Sequence, residues 1–165
     1  TCPGNAACTG TGKVSHTYNK AGTYGATLTV TDTHGAKSQN AAEVTITVIA
    51  PDLIVSSLKA TSNQAPQGAK IPITATISNI GQANAATSHT KFVLDGSTVL
   101  GDVATPAIPA QSYTSVTVTW NTAGVKKGNH TISATADSRN EVPESDENNN
   151  TSAPITIYIQ GNQTR

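Results

Sequence analysis

Oxygen-bearing side chains crowd into one short stretch of the sequence, DSRNEVPESDENNN at 137–150. The stretch combines three Glu, two Asp and four Asn with a single Arg. Calcium takes about six to eight oxygen ligands from carboxylates, amide carbonyls and backbone groups. Calcium is therefore the one candidate cofactor that the sequence suggests. Its candidate ligands are Asp137, Asn140, Glu144, Asp146 and Glu147, and Asn148 offers a further amide oxygen.

The same stretch is also typical of a polar loop whose side chains stabilise the fold by hydrogen-bonding to nearby backbone groups. We call this the fastener interpretation. Its spacing is not that of an EF-hand loop, so no motif fixes a coordination geometry. Asn and Asp side chains bond nearby backbone groups in turns, and crowded carboxylates repel one another without a counter-charge. Arg139 is the one cation inside the stretch. The residues favour the fastener interpretation and leave the calcium site open.

Four Asn residues stand in N-x-[ST] sequons, namely Asn129, Asn149, Asn150 and Asn162. In a secreted protein of a glycosylating organism such residues are acceptors on the surface. A chain rich in Thr and Asn also produces sequons by chance. We expect Asn150 or Asn129 to be modified before the others, because both lie at the edges of predicted loops.

The two cysteines, Cys2 and Cys8, enclose five residues that include Pro and Gly. This spacing matches no zinc signature, and no further ligands lie nearby. A disulfide between Cys2 and Cys8 is the favoured interpretation, and free thiols are the alternative. A disulfide fits an oxidising compartment, so we expect the chain to be secreted or on the cell surface.

Composition and motifs argue against several functions. Lys plus Arg equals Asp plus Glu at 10 each, and no basic run exists, which disfavours a nucleic-acid partner. This segment contains no stretch of about 18 apolar residues, so no membrane span is predicted in it. The sequence contains no G-x-S-x-G, H-E-x-x-H, C-x-x-C or phosphate-binding Gly loop. We therefore predict that the chain is not an enzyme.

The aromatic residues allow two interpretations. They can form a sugar-stacking platform for a polysaccharide, or they can pack in the core and at strand edges. Strand-like spacing favours packing. The residues concerned are Tyr18, Tyr24, Tyr113, Trp120 and Tyr158.

The elements that carry these residues are predicted to be strands. Residues 23–32 and 42–50 alternate apolar with polar side chains, the period of a half-buried strand, and a turn at 32–35 joins them into a hairpin. A short strand is expected before them at 14–18. Pro51 ends the second run and marks a boundary. We predict a first unit at 1–50, a second at 51–160 and a tail at 161–165.

Seven strand candidates follow in the second unit, at 52–60, 70–79, 87–95, 97–103, 113–121, 129–137 and 153–160. Short strands at this spacing, without helical periodicity, predict an all-β fold with a sandwich of immunoglobulin type. The acidic stretch is then the loop before the last strand. The expected core is Leu53, Val55, Leu58, Ile73, Ile77, Phe92, Leu94, Val116, Val118, Trp120, Ile132, Ala134, Ile155 and Ile157.

The first unit resembles the C-terminal part of a PKD domain, an immunoglobulin-like module of surface proteins. The matching residues are His16, Thr17, Tyr18, Gly22, Tyr24, Leu28, Val30, Asp32 and Gly35. The upstream Trp-Asp-Phe-Gly-Asp-Gly stretch of the family is missing, so the resemblance implies an incomplete first sandwich. The favoured interpretation is that the sequence begins within a domain. The alternatives are that another chain supplies the missing strands by strand addition, or that the unit is a divergent smaller fold.

The second unit resembles CARDB, a cell-adhesion-related domain. The supporting stretches are PDLIVSSL at 51–58, ITATISNIGQANA at 73–85 and HTISATADSRNEVPESDENNN at 130–150. The resemblance implies two tandem immunoglobulin-like β-sandwiches without catalytic chemistry.

The expected function is that of a structural or adhesion module of a prokaryotic cell-surface or secreted protein. Its partners would be other surface proteins, neighbouring copies of itself or polysaccharide. Two alternatives remain: a subunit of an extracellular filament completed by donor-strand exchange, and an accessory substrate-binding or spacer module of a secreted hydrolase.

Overall fold

The chain divides into two compact units between Val48 and Ile49, close to the predicted boundary at Pro51. The computed structural model describes residues 15–18, 20–31, 34–39 and 42–161. Cys2, Cys8 and Asn162 lie outside these residues. Every regular element within the described ranges is a strand, and no helix there is long and apolar enough to cross a bilayer.

The described part of the first unit is a β-hairpin. Strand β1 (Gly22–Leu28) pairs antiparallel with β2 (Ala42–Val48). Residues 15–18 are not in a strand, unlike our prediction. Leu28 and Val44 are 61% and 59% exposed, so this sheet of two strands leaves apolar side chains uncovered within the described residues.

The second unit is a sandwich of two sheets, as predicted. The first sheet consists of β3 (Leu53–Ala60), β5 (Lys70–Asn79) and β8 (Ser112–Asn121), in the order β3-β5-β8. The second sheet consists of β4 (Gln64–Pro66), β6 (Ser88–Leu94), β7 (Thr98–Thr105), β9 (Gly128–Thr135) and β10 (Ile155–Gln160). Its strand order is β4-β10-β9-β6-β7.

The central strand β5 shows why this sequence forms a sandwich. Ile71, Ile73, Ala75 and Ile77 alternate with more polar residues and are buried. Their partners on β8 include Val116, Val118 and Trp120, which are buried too. On the outer face the Thr74 and Thr117 hydroxyls meet at 2.8 Å. One face therefore builds the core, and the other is a hydroxyl surface open to water.

The predicted core is buried, apart from Val55, Leu58 and Ile155, which are partly buried against it. The core also takes in residues that strand periodicity did not identify. These are Ala65, Ile71, Ala75, Ala85, Ile108, Ala136, Val142 and Ile159.

Two connections between strands carry turn-type sequences. The sequence APQG at 65–68 is typical of a turn, yet Ala65 and Pro66 belong to the short strand β4, which pairs in parallel with β10. The β6–β7 turn places Asp95 at φ 49° and Gly96 at φ 73°, and the Ser97 N–H donates to the Leu94 carbonyl at 3.2 Å. Two central residues with positive φ are typical of hairpin turns with an Asp-Gly sequence.

Candidate functional site: the closing loop

The closing loop, which we define as residues 136–154, connects β9 to β10 and contains the acidic stretch. Asp137, only 6% exposed, begins the loop with a left-handed φ of 41°. Its two carboxylate oxygens accept hydrogen bonds from the N–H groups of Glu141 and Val142, both at 2.9 Å. Val142 is buried in the core. The loop is thus anchored by one buried carboxylate and one buried aliphatic side chain.

Glu144 links the closing loop to the other sheet. One of its carboxylate oxygens accepts a hydrogen bond from the N–H of Leu53, at the start of β3. The other accepts from the Asn150 amide at 2.7 Å. The N–H of Glu144 itself donates to the Glu147 carboxylate at 2.8 Å. A chain of side-chain hydrogen bonds therefore joins the two sheets at this end of the sandwich.

A second set of contacts fastens the same end. The N–H of Ser145 donates to the Pro51 carbonyl at 2.9 Å, and its hydroxyl donates to Asp52 at 3.1 Å. The Asn149 amide donates to the other oxygen of the Asp52 carboxylate at 2.8 Å. These contacts support the fastener interpretation of the loop.

Three of the five candidate calcium ligands come together. One carboxylate oxygen from each of Asp137, Glu144 and Glu147 lies within 4.8 Å of the others. Asp146 serves a local turn instead, and the backbone of Asn140 is part of another turn. The N–H of Asn140 donates to the Asp137 carbonyl at 2.9 Å, and Asp146 accepts from the N–H of Asn148 at 3.0 Å. We call Asp137, Glu144 and Glu147 the carboxylate cluster.

The electrostatics of the cluster centre on Glu144. Burial, together with the smaller effect of the charges on Glu147 and Asp137, raises the pKa of Glu144 to about 7, against the hydrogen bonds from Leu53 and Asn150, which lower it. Arg139 does not offset these charges, because its guanidinium pairs with Asp102 at 2.9 Å. Among the described residues, no ion pair joins a cation to the cluster.

Two amides of the loop keep an unpaired oxygen. The Oδ1 atoms of Asn149 and Asn150 are buried and have no hydrogen-bond donor among the described residues. Asn150 is 7% exposed and touches the cluster through Glu144. Sequence reasoning treated Asn150 as a glycan acceptor and missed this placement, because nothing in the run of three Asn distinguishes it.

The predicted sequons differ in accessibility. Asn129 is exposed at the start of β9, whereas Asn150 is buried and hydrogen-bonded to Glu144. Asn149 is partly buried, and Asn162 lies outside the described residues. Glycosylation stays a prediction, and accessibility favours Asn129. The disulfide between Cys2 and Cys8 likewise stays a prediction.

The aromatic residues are dispersed. Trp120 is 2% exposed within the core, whereas Tyr113 is 72% exposed. In the first unit the rings of Tyr18 and Tyr24 lie 4.4 Å apart. The packing interpretation fits Trp120, and Tyr113 remains available for contact with a partner.

The fold and the closing loop define a class of protein: an all-β module with an immunoglobulin-like sandwich. The CARDB family model matches residues 50–154, more than half of the chain, so the chain belongs to the CARDB family. A PKD domain model matches residues 4–48. Both predicted resemblances are confirmed. CARDB and PKD domains are typical of extracellular or cell-surface proteins and are typically non-catalytic.

Solved structures support the fold. A CARDB domain from Pyrococcus furiosus, crystallised in complex with di-metal ions, is 22% identical with a TM-score of 0.59. The match covers 69% of this chain and 97% of that domain. A domain of a putative cell surface protein from Methanosarcina acetivorans is 24% identical with a TM-score of 0.56, covering 70% and 97% respectively. No curated protein matches the sequence.

Proposed function

We propose that this chain is a non-catalytic adhesion module of a prokaryotic cell-surface or secreted protein. The observation that carries the proposal is the CARDB match over residues 50–154 on a sandwich of two sheets. The polar groups of the closing loop support it. Their carboxylates accept backbone hydrogen bonds that hold strands together, a use that suits a structural module.

The sandwich offers an exposed contact surface at one end. Tyr113, near the start of β8, is 72% exposed, and Ile80, just after β5, is 48% exposed. The Gln111 amide donates to the Ile80 carbonyl at 2.6 Å. Because Gln111 lies just before β8, Tyr113 and Ile80 are at the same end of the three-stranded sheet. Exposed apolar side chains of this size suit contact with another surface protein.

Beads coated with the full chain test adhesion. We expect them to attach to intact cells of the source organism more often than beads coated with an unrelated immunoglobulin-like domain. Free chain should compete for attachment, and the Tyr113→Ser variant should compete less well if the Tyr113 end makes the contact. Equal attachment of both bead types would overturn the adhesion proposal.

A second candidate is assembly by strand addition in the first unit. The observation that favours it is the β1–β2 hairpin, which exposes Leu28 and Val44 within the described residues. A strand from another copy would cover these side chains and pair with a free edge. Light scattering should then show polymers that grow with concentration, and a monomer at every concentration would rule this candidate out.

The Pyrococcus furiosus domain, which resembles this chain in fold, was crystallised in complex with di-metal ions. That likeness supports the fold alone, so the case for cation binding depends on the residues of the closing loop.

A further inference from the structure

The spacing of the carboxylate cluster matches calcium. One oxygen from each of Asp137, Glu144 and Glu147 lies within 4.8 Å of the others. Calcium–oxygen distances are about 2.3–2.6 Å, so ligands on opposite sides of the ion are about 4.6–5.2 Å apart. A calcium ion can therefore contact all three oxygens with little movement of the loop.

The cluster keeps free acceptor capacity although its oxygens already accept hydrogen bonds. An ionised carboxylate offers about four lone-pair sites. Asp137 and Glu144 each accept hydrogen bonds on both oxygens, and Glu147 accepts on one. The N–H groups thus orient the carboxylates and leave lone pairs for a cation.

Within the ranges that the structure describes, no protein cation pairs with the cluster. Arg139, the one cation in the 137–150 stretch, pairs with Asp102 instead. Asp137 is 6% exposed, and a buried carboxylate beside two others costs free energy unless a positive charge joins them. A divalent cation would remove this cost.

Asn150 provides an independent indication of a ligand. Its side chain is more than nine-tenths buried, and its amide lies against the Glu144 carboxylate at 2.7 Å. Its Oδ1 is buried without a donor among the described residues. A buried carbonyl oxygen without a partner carries a desolvation cost of about 1–3 kcal/mol. Amide oxygens are calcium ligands, so one ion would serve both the carboxylates and Asn150.

We propose that Asp137, Glu144, Glu147 and Asn150 bind a calcium ion. All four ligands are oxygens, which suits calcium rather than zinc or copper. Glu147 is exposed, so the site opens to solvent on that side and water can complete the coordination. Extracellular calcium modules bind with dissociation constants of about 10⁻⁴–10⁻³ M, and we expect a value in that range.

Isothermal titration of the chelator-treated full chain with CaCl₂ at neutral pH tests the site. We expect one binding event, weakened about tenfold or more by Glu147→Gln, because this exposed residue contributes a charge to the ion. The matched control is Glu141→Gln in the same loop, whose carboxylate pairs with His89 at 2.7 Å. Calcium affinity should be unchanged in this variant.

A second variant guards against a purely structural effect. Asn150→Asp adds a negative charge to the site, so it should tighten calcium binding while destabilising the calcium-free protein. MgCl₂ should bind more weakly than CaCl₂, because magnesium requires oxygens at about 2.0–2.1 Å. The competing explanation is that a proton shared by Glu144 and a neighbouring carboxylate neutralises the cluster in place of calcium. In that case the titration with CaCl₂ shows no heat of binding. No heat up to about 10 mM calcium, or equal losses in Glu147→Gln and Glu141→Gln, would overturn the proposal.

Discussion

The Asn79 carboxamide accepts a hydrogen bond from the Gly81 N–H at 3.1 Å, and this contact organises the start of the sandwich. The same oxygen accepts from the Asp52 N–H, and the amide nitrogen donates to three backbone carbonyls, those of Ala83, Ile108 and Pro109. Asn79 is 1% exposed. Asn79 and Gly81 stand in the ITATISNIGQANA stretch that carries the CARDB resemblance, and the role of Asn79 there is to provide hydrogen-bond partners for backbone groups.

Replacing Asn79 with Ala should lower the free energy of unfolding by about 2–4 kcal/mol, because buried backbone groups lose their partners. Urea unfolding followed by the fluorescence of Trp120, the one Trp in the chain, measures the change in the second unit. Asn84→Ala is the control, since exposed Asn84 accepts one hydrogen bond, from the Ala110 N–H. Equal losses in the two variants would contradict this role of Asn79.

Gly81 fits its position because a side chain would strike the backbone. A Cβ at Gly81 would lie 2.5 Å from the Ala50 carbonyl oxygen and from the Pro51 carbonyl carbon. Gly81→Ala should therefore cost about 2–3 kcal/mol of stability. In Gly161→Ala the new Cβ meets only the Lys127 side chain, at 3.4 Å, so this variant should be near neutral. Unfolding curves that coincide for both variants would show that the crowding is not real.

The pair formed by His130 and Asp95 should make stability depend on pH. The two His130 nitrogens contact Asp95 at 2.7 Å and the Lys126 carbonyl at 2.8 Å, so both favour a proton. The Asp95 carboxylate, aided by the Lys126 carbonyl, raises the pKa of His130 above its ordinary value, against the effect of burial. Burial raises the pKa of Asp95, but hydrogen bonds from His130 and Thr131 outweigh it and lower that pKa overall.

The sign follows from the folded and unfolded pKa values. The raised pKa of His130 gives stability that is full below about pH 6.5 and is lost as the pH rises through the higher folded value. The lowered pKa of Asp95 gives stability that is lost as the pH falls through its folded value. Since the pair is partly exposed, we expect less than about 1 kcal/mol. Thermal unfolding across pH should show a smaller alkaline loss in both His130→Gln and Asp95→Asn, and an undiminished loss would refute the assignment.

Glycan attachment to the folded chain should follow accessibility. Asn129 is exposed, whereas the Asn150 amide is buried and donates to Glu144. In a host that glycosylates sequons, we expect peptide mass spectrometry to find the glycan at Asn129 and none at Asn150. Asn129→Gln should remove the mass increase and Asn150→Gln should leave it. Modification of Asn150 would contradict its burial in the folded chain.

The sheets were more predictable than the site because the alternation of apolar and polar residues along a strand indicates directly which side chains are buried. Residues 70–79 were predicted as a strand and form Lys70–Asn79, with Ile73 and Ile77 in the core as expected. Strand β4 was missed because it has three residues and ends in Pro, which gives no period to detect. Val142 was missed because it stands alone in a polar stretch, where no neighbouring apolar residue marks a buried face.

The closing loop shows why a ligand set is hard to read from an irregular segment. Asp137 and Asn140 both adopt left-handed backbone conformations, with φ of 41° and 55°, and these turns decide which side chains meet. Glu144 and Glu147 join Asp137 in the cluster, whereas Asp146 faces a local turn. Sequence composition identified the stretch that contains the cluster, but which of its carboxylates meet depends on backbone angles.

Thermal unfolding of the full chain tests most directly whether the closing loop fastens the two sheets around a calcium ion. The transition reported by buried Trp120 should move to higher temperature with CaCl₂ than with EDTA. At about 100 times the dissociation constant, binding adds about 2.7 kcal/mol to folding stability. Glu147→Gln should lose about half of this stabilisation or more, because its calcium affinity is about tenfold weaker or worse, and Glu141→Gln should keep it. An unfolding temperature that is the same with CaCl₂ and EDTA would contradict the calcium-fastened loop.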